Sequence, residues 1–224
     1  MNKRKKGIIL FVAVLAVSIL FGGFISNRSI NAKTDKWDNL LTKYEKNPSV
    51  NQMIFVKYYK KSKGVLYLYE KTDGKWKRTL KCTAYVGKKG IGKKKTGDMK
   101  TPVGVYNFTK AFGIKKNPGS KMKYTKLKNS HYWCTDKKYY NRFVNVKKHK
   151  CNGEHLIKIK PQYNYCLSLN YNPKNKYGKG SAIFLHCTKK GRNYTAGCIA
   201  ISEKNMKKVM NKVDKNAKIC IYKK

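Results

Sequence analysis

Gly180-Ser181-Ala182-Ile183-Phe184-Leu185-His186, followed by Thr195-Ala196-Gly197-Cys198-Ile199-Ala200-Ile201-Ser202, is the stretch on which the reading of this chain turns. The first run is apolar, β-branched and aromatic, which predicts a buried strand over 181–186 that ends in the imidazole of His186. The second presents the thiol of Cys198 behind a small, flexible Ala-Gly pair. The separation between His186 and Cys198 accommodates a strand end, a Lys189-Lys190-Gly191-Arg192 loop and a return that brings the thiol beside the imidazole.

Working outward, Ser202 has the chemistry of a helix N-cap, and Met206, Val209, Met210 and Val213 follow i, i+3, i+4, i+7. One amphipathic helix on a sheet is expected there, with a last strand over 217–222. Upstream, 52–58, 64–69 and 76–86 read as strands, with Thr72-Asp73-Gly74 as a hairpin turn. Residues 87–99 are rich in Gly and Lys and read as a surface loop, after which Thr101-Pro102-Val103-Gly104 leads into a strand over 101–108. Residues 109–153 form a long insertion packed over the sheet, of the kind that lines a site, and strands resume at 154–159 and 165–171. The fold class is therefore mainly β.

A free thiol near its ordinary pKa is mostly protonated at neutral pH, and a neighbouring imidazole lowers that value and accepts the proton. Gly197 leaves room for a carbonyl to approach the backbone N–H groups around Cys198, so Gly197 and Thr195 are candidate oxyanion donors. Nucleophile, base and oxyanion site together amount to acyl transfer. A Cys–His pair can also arise by chance, as one more core thiol beside a strand-end histidine. The order of the pair, histidine before cysteine, argues against a papain-like wall hydrolase.

At these residues the sequence resembles the L,D-transpeptidase catalytic domain, or YkuD domain, whose signature is a strand-borne His followed by Ser/Thr-His-Gly-Cys and a hydrophobic residue. Here it is His186, then Thr195-Ala196-Gly197-Cys198-Ile199, with Thr101-Pro102-Val103-Gly104 matching the opening of the domain. The likeness covers roughly residues 52–222. It implies a sandwich-like β-rich fold and a thioester between Cys198 and the third residue of a peptidoglycan stem peptide, with loss of a terminal D-amino acid. An amine of a second stem, commonly that of diaminopimelate, then resolves the thioester. Ala196 replaces the usual second His and Ala200 a frequent Arg, so a substrate carboxylate must be met by other cations, for which the abundant lysines are candidates.

The N-terminus sets the expected compartment. Residues 1–6 are a basic tail, and 7–25 carry no charge. As a helix this run would reach about 28 Å, close to a bilayer's hydrocarbon thickness. Basic residues before it place the tail in the cytoplasm and everything after residue 25 outside. The run exceeds the roughly 7–15 residues of a signal-peptide core, and Asn31-Ala32 is a weak cleavage site, which favours an uncleaved membrane anchor over a domain released to the wall. Residues 26–51 are then a linker containing a short helix, and 52–222 the catalytic domain.

The chain carries 53 Lys and Arg against 10 Asp and Glu, a net charge of +43 that calls for an anionic partner. Spread lysines without an Arg-rich stripe or a nucleic-acid-binding motif argue against nucleic acid and leave anionic wall polymers as the candidate. Seven cysteines in an exported chain leave at least one unpaired, and their spacing lacks a Cys-x-x-Cys, so no metal or cofactor is called for. A monomer acting on stem peptides is expected. An L,D-carboxypeptidase differs only in using water as acceptor, and a non-catalytic basic wall-binding module is the reading from a different class.

Overall fold

Alternation along Met53-Ile54-Phe55-Val56 sets up two cores at once. In a strand, successive side chains point to opposite faces, and here both faces are covered: Ile54 and Val56 join the main core, Met53 and Phe55 a second one. The computed structural model describes residues 36–148 and 150–223. The expected anchor over 7–25, its basic tail and His149 lie outside the described residues. Among the described residues no helix is long and apolar enough to cross a membrane.

The strands are β1 (Gln52–Lys60), β2 (Lys63–Thr72), β3 (Lys75–Tyr85), β4 (Gly104–Gly113), β5 (Tyr124–Lys126) and β6 (His131–Cys134). They continue with β7 (Arg142–Asn145), β8 (Gly153–His155), β9 (Cys166–Leu169), β10 (Phe184–Cys187), β11 (Ile199–Ile201) and β12 (Lys218–Lys223). Nine of them form one sheet in the order β12-β1-β2-β3-β11-β10-β9-β4-β5. Because β12 also pairs with β4, the sheet curls until it closes, a barrel-like sandwich filled by side chains such as Leu66, Leu167, Leu185 and Ile219. This is the mainly β fold expected from the alternating segments. At the β2–β3 hairpin Asp73 and Gly74 both adopt positive φ, 52° and 74°, as a tight two-residue turn matching strand twist requires.

Helix α1 (Lys36–Glu45) lays Trp37, Leu40, Leu41 and Tyr44 over the second core. Its Trp37 ring meets Phe55, Tyr67 and Tyr222 edge-on, at centroid distances of 5.5, 5.0 and 5.8 Å. Helix α2 (Glu203–Lys212) buries Met206, Val209 and Met210 in the main core, and the Ser202 side chain accepts from the Asn205 N–H as the anticipated N-cap.

Three boundaries differ from expectation. The strand expected over 181–186 starts only at Phe184, because Gly180 (φ 105°) and Ala182 (φ 54°) turn the chain first. The strand expected over 154–159 stops at His155, and residues 156–158 make a 3₁₀ turn that drops Leu156 into a third core, just ahead of Pro161, which has no N–H for a ladder. The insertion is more ordered than its mixed polarity suggests, since β6, β7 and β8 form their own three-stranded sheet in the order β7-β6-β8. A disulfide joins Cys134 on β6 to Cys151 just before β8, with Cα atoms 5.8 Å apart.

Candidate active site

Strand parity brings His186 and Cys198 to one face. β10 and β11 run parallel with Leu185 beside Ile199 and His186 beside Ala200. Leu185 and Ile199 point into the main core, so their neighbours on either side point away from it. Cys198 therefore emerges level with Phe184, and His186 emerges on the same side, two residues along. Both line a cavity of about 370 Å³.

The thiol is held by backbone. Cys198 Sγ donates to the Ala182 carbonyl at 3.1 Å and accepts from the Phe184 N–H at 3.3 Å. The positive φ of Ala182 occurs at the residue whose carbonyl receives this bond. No hydrogen bond joins Sγ to the imidazole among the described residues. His186 Nδ1 lies 2.8 Å from the Cys187 carbonyl; a carbonyl only accepts, so the proton sits on Nδ1 and Nε2 is left as an acceptor.

Burial governs both titrations. It pushes the Cys198 thiol up to about 12, helped by the negative charge of Glu154 and opposed by the Phe184 N–H and by Lys93. It pulls His186 down to about 4, against the Cys187 hydrogen bond and with a contribution from Arg192. The free site thus rests as neutral thiol and neutral imidazole, in place of the lowered thiol pKa that proximity alone suggested. A desolvated pocket penalises each charge when only one is present.

Thr195 and Gly197, the expected oxyanion donors, have hydrogen-bond partners of their own in this structure. Thr195 N–H donates to Val86 O at 2.9 Å, and Gly197 N–H to Thr195 Oγ1 at 3.1 Å. Both amides are thus engaged in shaping the loop. Thr195 Oγ1 donates to the Cys198 carbonyl at 2.7 Å, and Thr101 Oγ1 donates to the same oxygen at 3.1 Å. The nucleophile loop is pinned from two sides, and the amides of Ala196 and Cys198 take no part in those bonds. Gly197 has φ 153°, and a Cβ there would meet Lys100 O at 3.0 Å, so glycine is required.

The sequence pattern of the YkuD family, the L,D-transpeptidase catalytic domain, matches residues 51–221. The chain belongs to this family. Among solved structures, Bd1075 from Bdellovibrio bacteriovorus is similar at 17% identity and TM-score 0.44, over 77% of this chain and 48% of that one. The helical cell shape determining protein Pgp2 from Campylobacter jejuni is similar at 20% identity and TM-score 0.44, over 84% and 55%. An Enterococcus faecium L,D-transpeptidase follows at 14% identity and TM-score 0.38, over 77% and 50%. The chain spans about half the length of these structures. No curated protein matches it.

Within this L,D-transpeptidase domain, Ala196 and Ala200 both line the cavity, so the missing His and Arg leave open space beside the thiol and imidazole. A cation is nevertheless present. Lys93 lines the same cavity with a side chain only 4% exposed, and its Nζ is 2.8 Å from Asp98. Burial alone would raise Asp98, but Lys93 and the backbone N–H groups of Lys95, Lys94 and Lys100 hold it at about 2, so this ion pair is permanent at any working pH.

Three residues at or behind the site have roles that sequence alone does not show, two lining the cavity and one, Thr101, bonded to the Cys198 carbonyl from behind. Thr101 was visible only as part of an opening pattern; its role needs the long-range contact with Cys198. Tyr163 and Glu154 stand in no motif that marks them as part of a site. In the structure the Tyr163 hydroxyl donates to Glu154 Oε2 at 2.6 Å, the Tyr163 ring lies 5.6 Å from the His186 ring, and both residues line the cavity. His155 instead stacks on Tyr132 at 4.3 Å, while Trp133 packs on Phe184 and His131 on Phe143, all away from the cavity. Cys134, Asp136 and Cys151 bring potential ligand atoms within 4.8 Å of one another, but the two sulfurs are spent on the disulfide.

Proposed function

We propose that the protein is an exported peptidoglycan L,D-transpeptidase that forms an acyl-thioester on Cys198 and passes the stem peptide to an amine in cell-wall crosslinking. The observation that carries this reading is the shared cavity of Cys198 and His186, in which Nδ1 is anchored on a carbonyl and Nε2 is free to accept. Membership of the family supports the chemistry, and the uncharged run over 7–25 supports an anchored domain facing the wall.

Acylation begins with the neutral pair. The substrate displaces water, Sγ leaves the Ala182 carbonyl, and its proton passes to His186 Nε2 as sulfur attacks the stem-peptide carbonyl. Transferring a proton between two buried neutral groups creates an ion pair whose members stabilise each other, which neither charge could do alone. Amides of the Cys198 loop stabilise the tetrahedral oxyanion, with Ala196 and Cys198 the unengaged donors. The imidazolium then protonates the departing D-amino acid nitrogen. Arg192, which lines the cavity with no salt bridge among the described residues, supplies the positive charge that meets a substrate carboxylate in place of the family's usual arginine.

Intact-protein mass spectrometry of the full chain with a tetrapeptide muropeptide tests the reading. An adduct on Cys198 equal to the donor minus one D-amino acid, absent from Cys198→Ala, is expected. No adduct, or undiminished crosslinked product from Cys198→Ala, overturns it.

A further inference from the structure

Glu154 differs from Asp98, Glu203 and Glu70 in what surrounds its charge. With 53 Lys and Arg for 10 Asp and Glu, cationic partners are plentiful, and Asp98, Glu203 and Glu70 each have a lysine in salt-bridge contact. Glu154 has no cation beside it among the described residues. β8 carries it to the wall of the Cys198 cavity, Tyr163 holds one oxygen, and Oε1 is left without a hydrogen-bond partner among the described residues. Burial raises its carboxyl above the usual range, against the pull of the Tyr163 hydrogen bond.

Neither stability nor activation of the thiol accounts for this placement. A half-buried carboxylate without a cation carries part of the cost of desolvation, and the Glu154 charge works against ionisation of Cys198. Both penalties are relieved when a cation enters the cavity. The second substrate of the proposed reaction brings one: an alkylammonium, which must lose a proton before its nitrogen can attack. A carboxylate raised toward neutrality is suited to accept that proton.

Resting on the transpeptidase reading above, we propose that Glu154 is the acceptor-selecting group, binding the ammonium of the second stem beside the acyl-Cys198 and taking its first proton. The freed amine forms the C–N bond with the thioester carbonyl, and its second proton passes through His186 to the departing Cys198 sulfur as the C–S bond breaks. Glu154 carboxylate, ammonium and thioester thus become Glu154 carboxylic acid, amide and thiol, and the acid returns its proton to water. Water needs no such cation site, so Glu154 tilts the cavity toward crosslinking and away from hydrolysis.

The test separates acylation from deacylation in the full chain. Wild type and Glu154→Gln are acylated with a tetrapeptide donor, and the thioester is challenged with an alkylammonium stem acceptor, with hydroxylamine, which is uncharged at neutral pH, and with water. In Glu154→Gln, acylation should be at least as fast as in wild type, because the charge opposing Cys198 ionisation is gone, and hydrolysis and hydroxylaminolysis should persist, while transfer to the stem acceptor falls by about 10²-fold, the usual scale of a lost general base. Glu154→Asp should recover part of that transfer. Slowed acylation would place Glu154 on the donor side, and an equal loss with both nitrogen nucleophiles would make it merely structural; either overturns the proposal, as does an unchanged ratio of transfer to hydrolysis. A wild type that forms no thioester defeats the reading of the whole site, an outcome distinct from these.

Discussion

His186 is where burial and chemistry oppose each other most plainly. Its ring is 7% exposed and its pKa is pulled to about 4 by desolvation, below the ordinary value near 6.5. The unfolded chain therefore binds the extra proton first as pH falls. The stability this neutral imidazole contributes is present above pH about 6.5 and is lost between there and about 4, on the order of 3 kcal/mol in all. Urea unfolding at neutral pH and near pH 4 should show wild type losing more stability than His186→Gln. Identical losses in both would mean that the imidazole is not held neutral by the fold. The cysteine beside it obeys the same rule with the opposite sign, since a thiol pushed up to about 12 remains neutral until substrate creates a reason to ionise.

Among the elements, the three-stranded sheet β7-β6-β8 had no signal as a sheet in the sequence, yet it reaches the site through β8. β8 is three residues long, yet it presents Glu154 to the cavity. Two constraints hold it: antiparallel pairing with β6, Trp133 opposite Glu154, and the Cys134–Cys151 disulfide immediately before it. Closing a loop with a sequence separation of 17 residues should stabilise by about 3 kcal/mol through lost freedom of the unfolded chain. Cys151→Ser is expected to lower unfolding stability by about that amount, and to impair acceptor transfer more than acylation, because Cys198 and His186 sit on the main sheet. A variant as stable as wild type would show that strand pairing alone anchors β8.

For the molecule as a whole, charge and catalysis are spatially separate matters. The +43 net charge is spread over the chain, whereas the charged lining of the cavity is Lys93, Lys189, Arg192 and Glu154. Retention on isolated walls should follow the charge and ignore the thiol. Binding is expected to fall steeply between about 0.1 M and about 1 M salt, as the screening length shrinks from about 10 Å to about 3 Å. It should persist in Cys198→Ala. Salt-independent pelleting with walls would instead point to a specific, short-range contact as the source of retention.

Period and punctuation alone determined much of this protein. β-branched and aromatic content predicted β1 to β3, the Asp73-Gly74 turn followed from its dipeptide, and the 3.6-residue spacing behind Ser202 predicted α2, because these are local consequences of backbone geometry. The His186 and Cys198 segments were legible for a similar reason: residue types with reactive side chains stood in a recognisable order. Tertiary structure alone decided what surrounds them. The three-residue β11 has no periodic signal of its own and exists through its pairing with β10; the start of β10 was set by the turn at Ala182, whose carbonyl holds the thiol. Tyr163 and Glu154 reach the cavity, and Thr101 the Cys198 carbonyl, from distant parts of the chain, and burial is the largest cause of the pKa shifts of Cys198, His186 and Glu154. Sequence spacing can place a thiol and an imidazole within range of each other, but desolvation belongs to the packed whole.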